Sequence, residues 1–341
     1  MEIPKDLATY AAYSLNDEVL YSSSSGGLFY EFATHILSIN GVVYGVAMNE
    51  SKKQAVYKRV SDIDNIEPLM GSKYMQTKMG NTFSNVKTDL DNNKFVLFSG
   101  TGCIINGLKM FLKREYPNLF CIEVICHGVP SPLIWKKYFA YIENKNNGKI
   151  SSVNFRFKNK PELNQKHDQE SKVSLYSFRD DPYMRLFLKD LSLRPSCYAC
   201  QAKINRSSDI IIGDFWGIDD VSPRFKNNKG TSLVIIRTSL GKKMFDAIGK
   251  KIKKERVSYN AAIKKNSALI NSVNKPKNRE AFFHDAIIMP FYALYNKYSN
   301  TSFKKKIKLL ILRSPLKRSF ISKHYTIDWE NFAMKIDIKK K

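Results

Sequence analysis

The 341-residue chain holds no apolar run near the roughly 18 residues that a membrane span needs. Its first ten residues include Glu2, Lys5 and Asp6 and lack the apolar core of a secretory signal. Cysteine is scarce and odd in number, five in all, which argues against a disulfide scaffold and for a reducing cytoplasm. No G-x-G-x-x-G follows a predicted strand, so an ordinary dinucleotide site is not expected. No G-x-x-x-x-G-K-[ST] is present either. No repeat of roughly 20–50 residues is visible. Acidic residues are also short in supply: the formal net charge is +25. Residues 301–341 alone carry 12 Lys/Arg against 3 Asp/Glu. Such charge often meets nucleic acid or anionic membrane. No groove-reading motif accompanies it, so nucleic acid is not the expected partner, and a lysine-rich solvated surface is the plainer account.

What is present reads as an α/β chain. Ser22 to Gly27 form a small-residue loop before Leu28, Phe29, Phe32, Ala33, Ile36 and Leu37, whose spacing predicts an amphipathic helix over roughly 26–40. The first turn of that helix can offer backbone N–H groups to an anion. Gly41 is placed as its C-cap. Strands are expected at 42–47 and 55–60, then a helical stretch near 62–69 and a turn, Gly71-Ser72-Lys73-Tyr74. Lys94 to Phe98 is a nearly continuous apolar run, the pattern of a strand buried on both faces. Helix 104–113, strand 119–125 and helix 132–143 follow, so 94–143 reads as the βαβ signature of a parallel sheet. The fold class expected is α/β, a parallel βαβ core with additional β-rich and helical parts. From Asn278 the pattern turns helical into a basic tail.

The cysteines carry the chemistry. Cys103 and Cys126 each follow the C-terminal end of a predicted parallel strand, where open α/β sheets form their ligand crevice. Cys197-x-x-Cys200 has metal-ligand spacing. Together they make four sulfurs, the number that a tetrahedral zinc or a [4Fe–4S] cluster requires. From spacing alone, zinc, iron–sulfur and unrelated thiols all stay open. Cys121 lies five residues before Cys126, an odd spacing that turns it to the opposite strand face, so it is expected to be a core thiol. His127 adjoins Cys126 at a strand end and is a candidate for a direct role, whereas His35 is expected at a helix surface or core. Lys73 is a candidate phosphate or flavin contact, or a solvated lysine. Asp214 follows a short strand and can accept a hydrogen bond from a heterocycle or cap a turn.

Several segments together resemble one family. They are SSSGGLFYEFA (23–33), GVVYGVAM (41–48), LMGSKYMQT (69–77), VLFSGTGCIINGLKMFL (96–112), VICHGVPSPLIWKKY (124–138), DPYMRLFLKDLSLRPSCYAC (181–200), SDIIIGDFWGI (208–218) and KGTSLVII (229–236). In this order they are similar to the coenzyme F-420 hydrogenase/dehydrogenase beta-subunit family, over about residues 8–290. The resemblance implies FAD bound in a fold of its own, and electrons passing between a [4Fe–4S] cluster and FAD, then to or from a hydride carrier such as coenzyme F-420 or another small-molecule substrate. It implies Cys103, Cys126, Cys197 and Cys200 as cluster ligands. It places flavin contacts at Ser25, Gly26 and Gly27, at Gly71, Ser72, Lys73 and Tyr74, and around Thr101. Bacterial members also occur with polysaccharide biosynthesis.

Two departures stand out. The loop before the first cysteine usually reads Gly-Thr-Pro-Cys-Gln, but here it is Gly100-Thr101-Gly102-Cys103-Ile104. Many relatives also begin with a ferredoxin-like segment, and the chain starts just after where that would end, so a separate ferredoxin-like electron donor is expected. The expected organisation is a flavin-side part at 8–85, a cysteine-bearing part at 86–290 and a basic helical tail at 291–341. In the tail, Phe303, Ile307, Leu310 and Ile311 share one helical face amid lysines, so it is expected either to pack on its own domain or to lie peripherally on an anionic membrane. The leading expectation is a cytoplasmic flavin- and [4Fe–4S]-dependent oxidoreductase with His127 and Asp214 as candidate catalytic groups. A nonenzymatic assembly partner and a zinc-containing nucleic-acid binder are the alternatives.

Overall fold

A computed structural model describes residues 8–158, 171–177, 180–299 and 333–340. Its strands are β1 (Thr9–Ser14), β2 (Val42–Met48), β3 (Ala55–Val60), β4 (Thr77–Lys78), β5 (Val96–Thr101) and β6 (Leu119–Val124). They continue with β7 (Gly148–Phe157), β8 (Ser171–Ser177), β9 (Ile210–Asp214), β10 (Ser232–Ile236), β11 (Ile252–Val257) and β12 (Ala333–Lys340). Nine of these form one sheet in the order β11-β1-β10-β9-β6-β5-β2-β3-β4. Its centre, β2, β5, β6 and β9, is parallel throughout. The antiparallel pairs lie outward, β3 on one side and β10, β1 and β11 on the other. Strands from before residue 85 and after residue 86 pair in this one sheet, β2 with β5 and β1 with β10.

Alternation along the central strands explains why both faces are covered. Val96, Phe98, Leu119 and Cys121 face the helices Thr82–Asp91 and Gly102–Leu112. Leu97, Phe120 and Ile122 face the opposite way, against the helices Leu28–Ser38 and Ser239–Ala247. Val96, Leu97 and Phe98 are each fully buried, at about 1.5–3 kcal/mol per side chain. That is the double burial expected of this run. The stretch 62–69 forms two short 3-10 turns, Ile63–Asn65 and Glu67–Leu69, separated by Ile66. Asn40, with φ of 59°, takes the left-handed position after the helix Leu28–Ser38, one residue before the expected Gly41.

The tail differs most from expectation. Residues 291–299 are helical, as Phe291–Ser299, but 333–340 form β12. This strand is the centre of a second, antiparallel sheet, β7-β12-β8. The reason is legible: Met334, Ile336 and Ile338 alternate with Lys335, Asp337 and Lys339, a period of two rather than 3.6. All three apolar side chains are fully buried, in a cluster with Trp135, Tyr138, Phe155 and Tyr183. The expected amphipathic stretch 303–329 lies outside the described residues. Among the described residues, no helix is long and apolar enough to cross a membrane.

Candidate functional site

The register Thr101↔Val124 and Val124↔Ile212 levels the C-terminal ends of β5, β6 and β9 on one rim. A cleft of about 380 Å³ opens there, within the size range of cofactor sites. The serine loop supplies Ser25 and Gly27 to it. The 71–74 turn supplies Gly71, Ser72, Lys73 and Tyr74. The rim supplies Thr101, Cys103, Cys126, His127 and Asp214. The two flavin-side loops are tied together, since the Ser72 backbone N–H donates to Ser24 Oγ at 2.7 Å.

Gly26 is placed differently, beneath the cleft wall. A Cβ on it would stand 2.6 Å from the Ala12 carbonyl oxygen and 2.8 Å from the Ser232 nitrogen. Its N–H donates to Ser232 Oγ at 2.9 Å, so it is engaged within the protein. Gly27, at φ 81°, then starts the helix from the left-handed region. Gly26→Ala is therefore expected to lower stability by about 1–3 kcal/mol through overpacking against backbone, read as a lower thermal midpoint. A midpoint equal to that of the unmodified chain would show that this contact relaxes freely.

Lys73 lines the cleft, but its Nζ donates to the Pro68 and Met70 carbonyls at 2.8 and 2.6 Å. Burial pushes its pKa down to about 7. It closes its own turn. Asp214 is likewise engaged: its Oδ2 pairs with Arg156 Nη2 at 3.0 Å. Arg156 also donates to the Tyr74 hydroxyl at 3.2 Å and the Ser24 carbonyl at 3.3 Å, and lies over the Trp216 ring. Two residues on, Lys158 Nζ donates to the carbonyls of Leu20, Ser25 and Lys229. Strand β7 and the residue after it thus bring two buried cations, Arg156 and Lys158, onto the serine loop. Neither was expected from the sequence, where they pass as ordinary charges at a strand end.

A second, smaller cavity of about 30 Å³ adjoins the cleft, and Cys103, Cys126, Cys197 and Cys200 all line it. Thr101, Cys103, Cys126 and His127 border both spaces. The four thiols come from three segments: the start of the helix Gly102–Leu112, the loop after β6, and the 3-10 turn Pro195–Ala199 with the residue after it. Burial pushes the Cys126 thiol up to about 12, Lys203 acts against this, and the other three thiols add to it. Cys197 Sγ accepts the Val129 N–H at 3.3 Å. Cys103 is exposed, and its Sγ lies 3.3 Å from Thr101 Oγ1. Cys121 is fully buried among Phe98, Leu119 and Val96, apart from the other four.

The donor set suits iron and sulfide. Four soft thiol donors face one space. Glu123, the carboxylate on the same wall, is taken by Arg206 and by Ser208 Oγ. Among the described residues, no group of three or more His, Cys, Asp or Glu is gathered for a single metal ion. A cluster spreads its thiolates over separate irons, so it makes a different demand on spacing. Gly102, where the family pattern has proline, faces this wall: a Cβ there would come 2.7 Å from Glu123 Oε1.

His127 sits at the junction of the two spaces. Its Nε2 lies 2.6 Å from Asp190 Oδ1, and its ring meets Phe187 edge-on at 5.3 Å. Asp190 occupies the left-handed region, φ 61°, and its carbonyl accepts the Tyr198 hydroxyl at 2.5 Å. Tyr198 lies between the paired cysteines, so the chelate loop also holds the partner of His127. No pattern in the sequence points to Asp190.

Residues 93–260 match the family model for the C terminus of the coenzyme F420 hydrogenase/dehydrogenase beta subunit. Over that span the chain is similar to this family. Its four cavity cysteines, His127 and Asp214 all fall inside the matched span, and the loops at 25–27 and 71–74 fall before it. The match points to an electron-transferring oxidoreductase. Among solved structures, a chain of the F420-reducing [NiFe] hydrogenase complex from Methanosarcina barkeri is similar at 16% identity and a TM-score of 0.48. That similarity covers 73% of this chain and 81% of that one. No curated protein matches the sequence.

Proposed function

We propose that the chain is a flavin- and iron–sulfur-dependent oxidoreductase. In this reading Cys103, Cys126, Cys197 and Cys200 hold a [4Fe–4S] cluster and the adjoining cleft holds FAD. The observation that carries it is the four-thiol cavity sharing its Cys103–Cys126 wall with a cofactor-sized cleft. Bound there, the two groups would take electrons singly on one side and release them in pairs on the other.

The chain's own residues supply the setting. The Ser24–Ser72 hydrogen bond closes the loops around one end of the cleft. Arg156 fixes the Asp214 carboxylate toward that space. The Asp190 contact engages His127 Nε2 and holds the ring at the edge of the cleft. Ile104, where the family pattern has glutamine, gives the cleft an apolar side chain, and so shifts selection toward a less polar acceptor. The acceptor is a small organic molecule or a hydride carrier such as coenzyme F-420. The donor is a separate ferredoxin-like protein.

Anaerobic purification with iron, sulfide and flavin analysis tests this. The expected result is about four irons and four sulfides per chain, with one FAD released on denaturation. Zinc without iron, or a colourless protein without flavin, would overturn it in favour of a zinc protein or an assembly partner.

A further inference from the structure

We propose that Lys203 is a positioning cation of the four-thiol cavity, one that raises the reduction potential of the [4Fe–4S] cluster held there. This rests on the cluster reading above. Lys203 lines the same cavity as the four cysteines and ends the 3-10 turn Gln201–Lys203, three residues after Cys200. Its Nζ donates to the Cys126 carbonyl at 2.7 Å and to the Ala268 carbonyl. The ammonium therefore bridges the loop after β6 to the helix Ser267–Ile270. The same stretch meets the chelate again, since the Cys200 N–H donates to Ser272 Oγ at 2.9 Å. Ala268 and Ser272 lie beyond the family-matched residues.

Two cations line this cavity, Lys203 and Arg206, and a third, Arg194, acts on Cys197 from the cleft side. The Arg206 guanidinium is paired with Glu123 and with the Leu269 carbonyl. Glu123 offsets Arg206, and the Lys203 charge is left to act on the thiols. In a half-buried setting a unit charge a few ångströms away is weakly screened. One-electron reduction adds a negative charge to the cavity. A neighbouring cation favours that reduced state, and its loss disfavours it.

The test is an EPR-monitored redox titration of the full chain, purified anaerobically, with Lys203 unchanged, as Lys203→Gln and as Lys203→Arg. Glutamine keeps a donor for the Cys126 carbonyl and removes the charge. The expected result is at least a tenfold fall in the equilibrium constant for one-electron reduction, about 59 mV downward, at unchanged iron content. Arginine is expected to restore most of it. Ala268→Asp, which sets a negative charge beside an intact Lys203, is expected to shift the potential the same way as glutamine. It serves as the decisive variant if Lys203→Gln does not retain iron. Full iron content with an unchanged potential in these variants overturns the role of Lys203 and leaves the cluster reading standing. An unmodified chain without iron and sulfide overturns both.

Discussion

Serine at any one of Cys103, Cys126, Cys197 or Cys200 is expected to remove most of the broad absorption near about 400 nm from anaerobically purified protein, while serine at Cys121 leaves it. The four residues share one cavity, so each loss takes one thiolate from the same set. A hydroxyl is a hard, weakly acidic substitute, and iron content should fall from about four per chain to below one. Cys121 stands elsewhere. It is fully buried on β6, and its N–H donates to Asp209 Oδ2 at 2.8 Å. Burial raises its thiol pKa well above the ordinary range, as expected of a protonated core side chain. Cys121→Ser buries a hydroxyl in an apolar cluster, at about 1–3 kcal/mol. That variant should melt earlier and stay coloured. A bleached Cys121→Ser beside a coloured Cys126→Ser would falsify the assignment.

The rim was legible because strand parity and strand ends are written in local patterns. The run 94–98 marked a doubly buried strand, and the βαβ reading then placed Cys103 and Cys126 side by side. The chelate Cys197-x-x-Cys200 is local too, but nothing local says which rim it meets. That meeting depends on packing: the Arg194 N–H donates to the Val129 carbonyl at 3.0 Å, joining the chelate loop to the loop after β6. The buried cations were invisible for the same reason. Arg156 and Lys158 acquire meaning only when β7 reaches the serine loop, and Lys203 only when the Cys126 loop and the helix Ser267–Ile270 converge on it. Gly26 carries a packing reason that its sequence context does not show. A small residue in a loop before a helix suggested a free amide for an anion, whereas tight backbone packing against Ala12 and Ser232 explains the glycine.

Ending the chain before Ala333 is expected to unfold the small sheet and leave the protein aggregation-prone. Strand β12 is the central member of β7-β12-β8, so its loss exposes the backbone edges of both neighbours. Met334, Ile336 and Ile338 would leave the Trp135–Tyr183 cluster, each at about 2–5 kcal/mol on the scale of large-to-small core changes. That is comparable to the whole stability of an ordinary domain. The damage should travel to the cleft, because β7 delivers Arg156 to Asp214 and Lys158 to the Ser25 carbonyl. The truncated chain is expected to show early proteolysis within 148–157 and to lose any flavin on gel filtration. Ile336→Asp should reproduce both effects in a full-length chain. If the truncated protein melts at the temperature of the intact one and resists cleavage there, β12 contributes little. The same geometry decides how membrane contact by residues 303–329 is tested. Removing the tail also removes β12, so vesicle flotation must compare full chains in which Lys304, Lys305 and Lys308 are changed to glutamine, with anionic lipid at low salt.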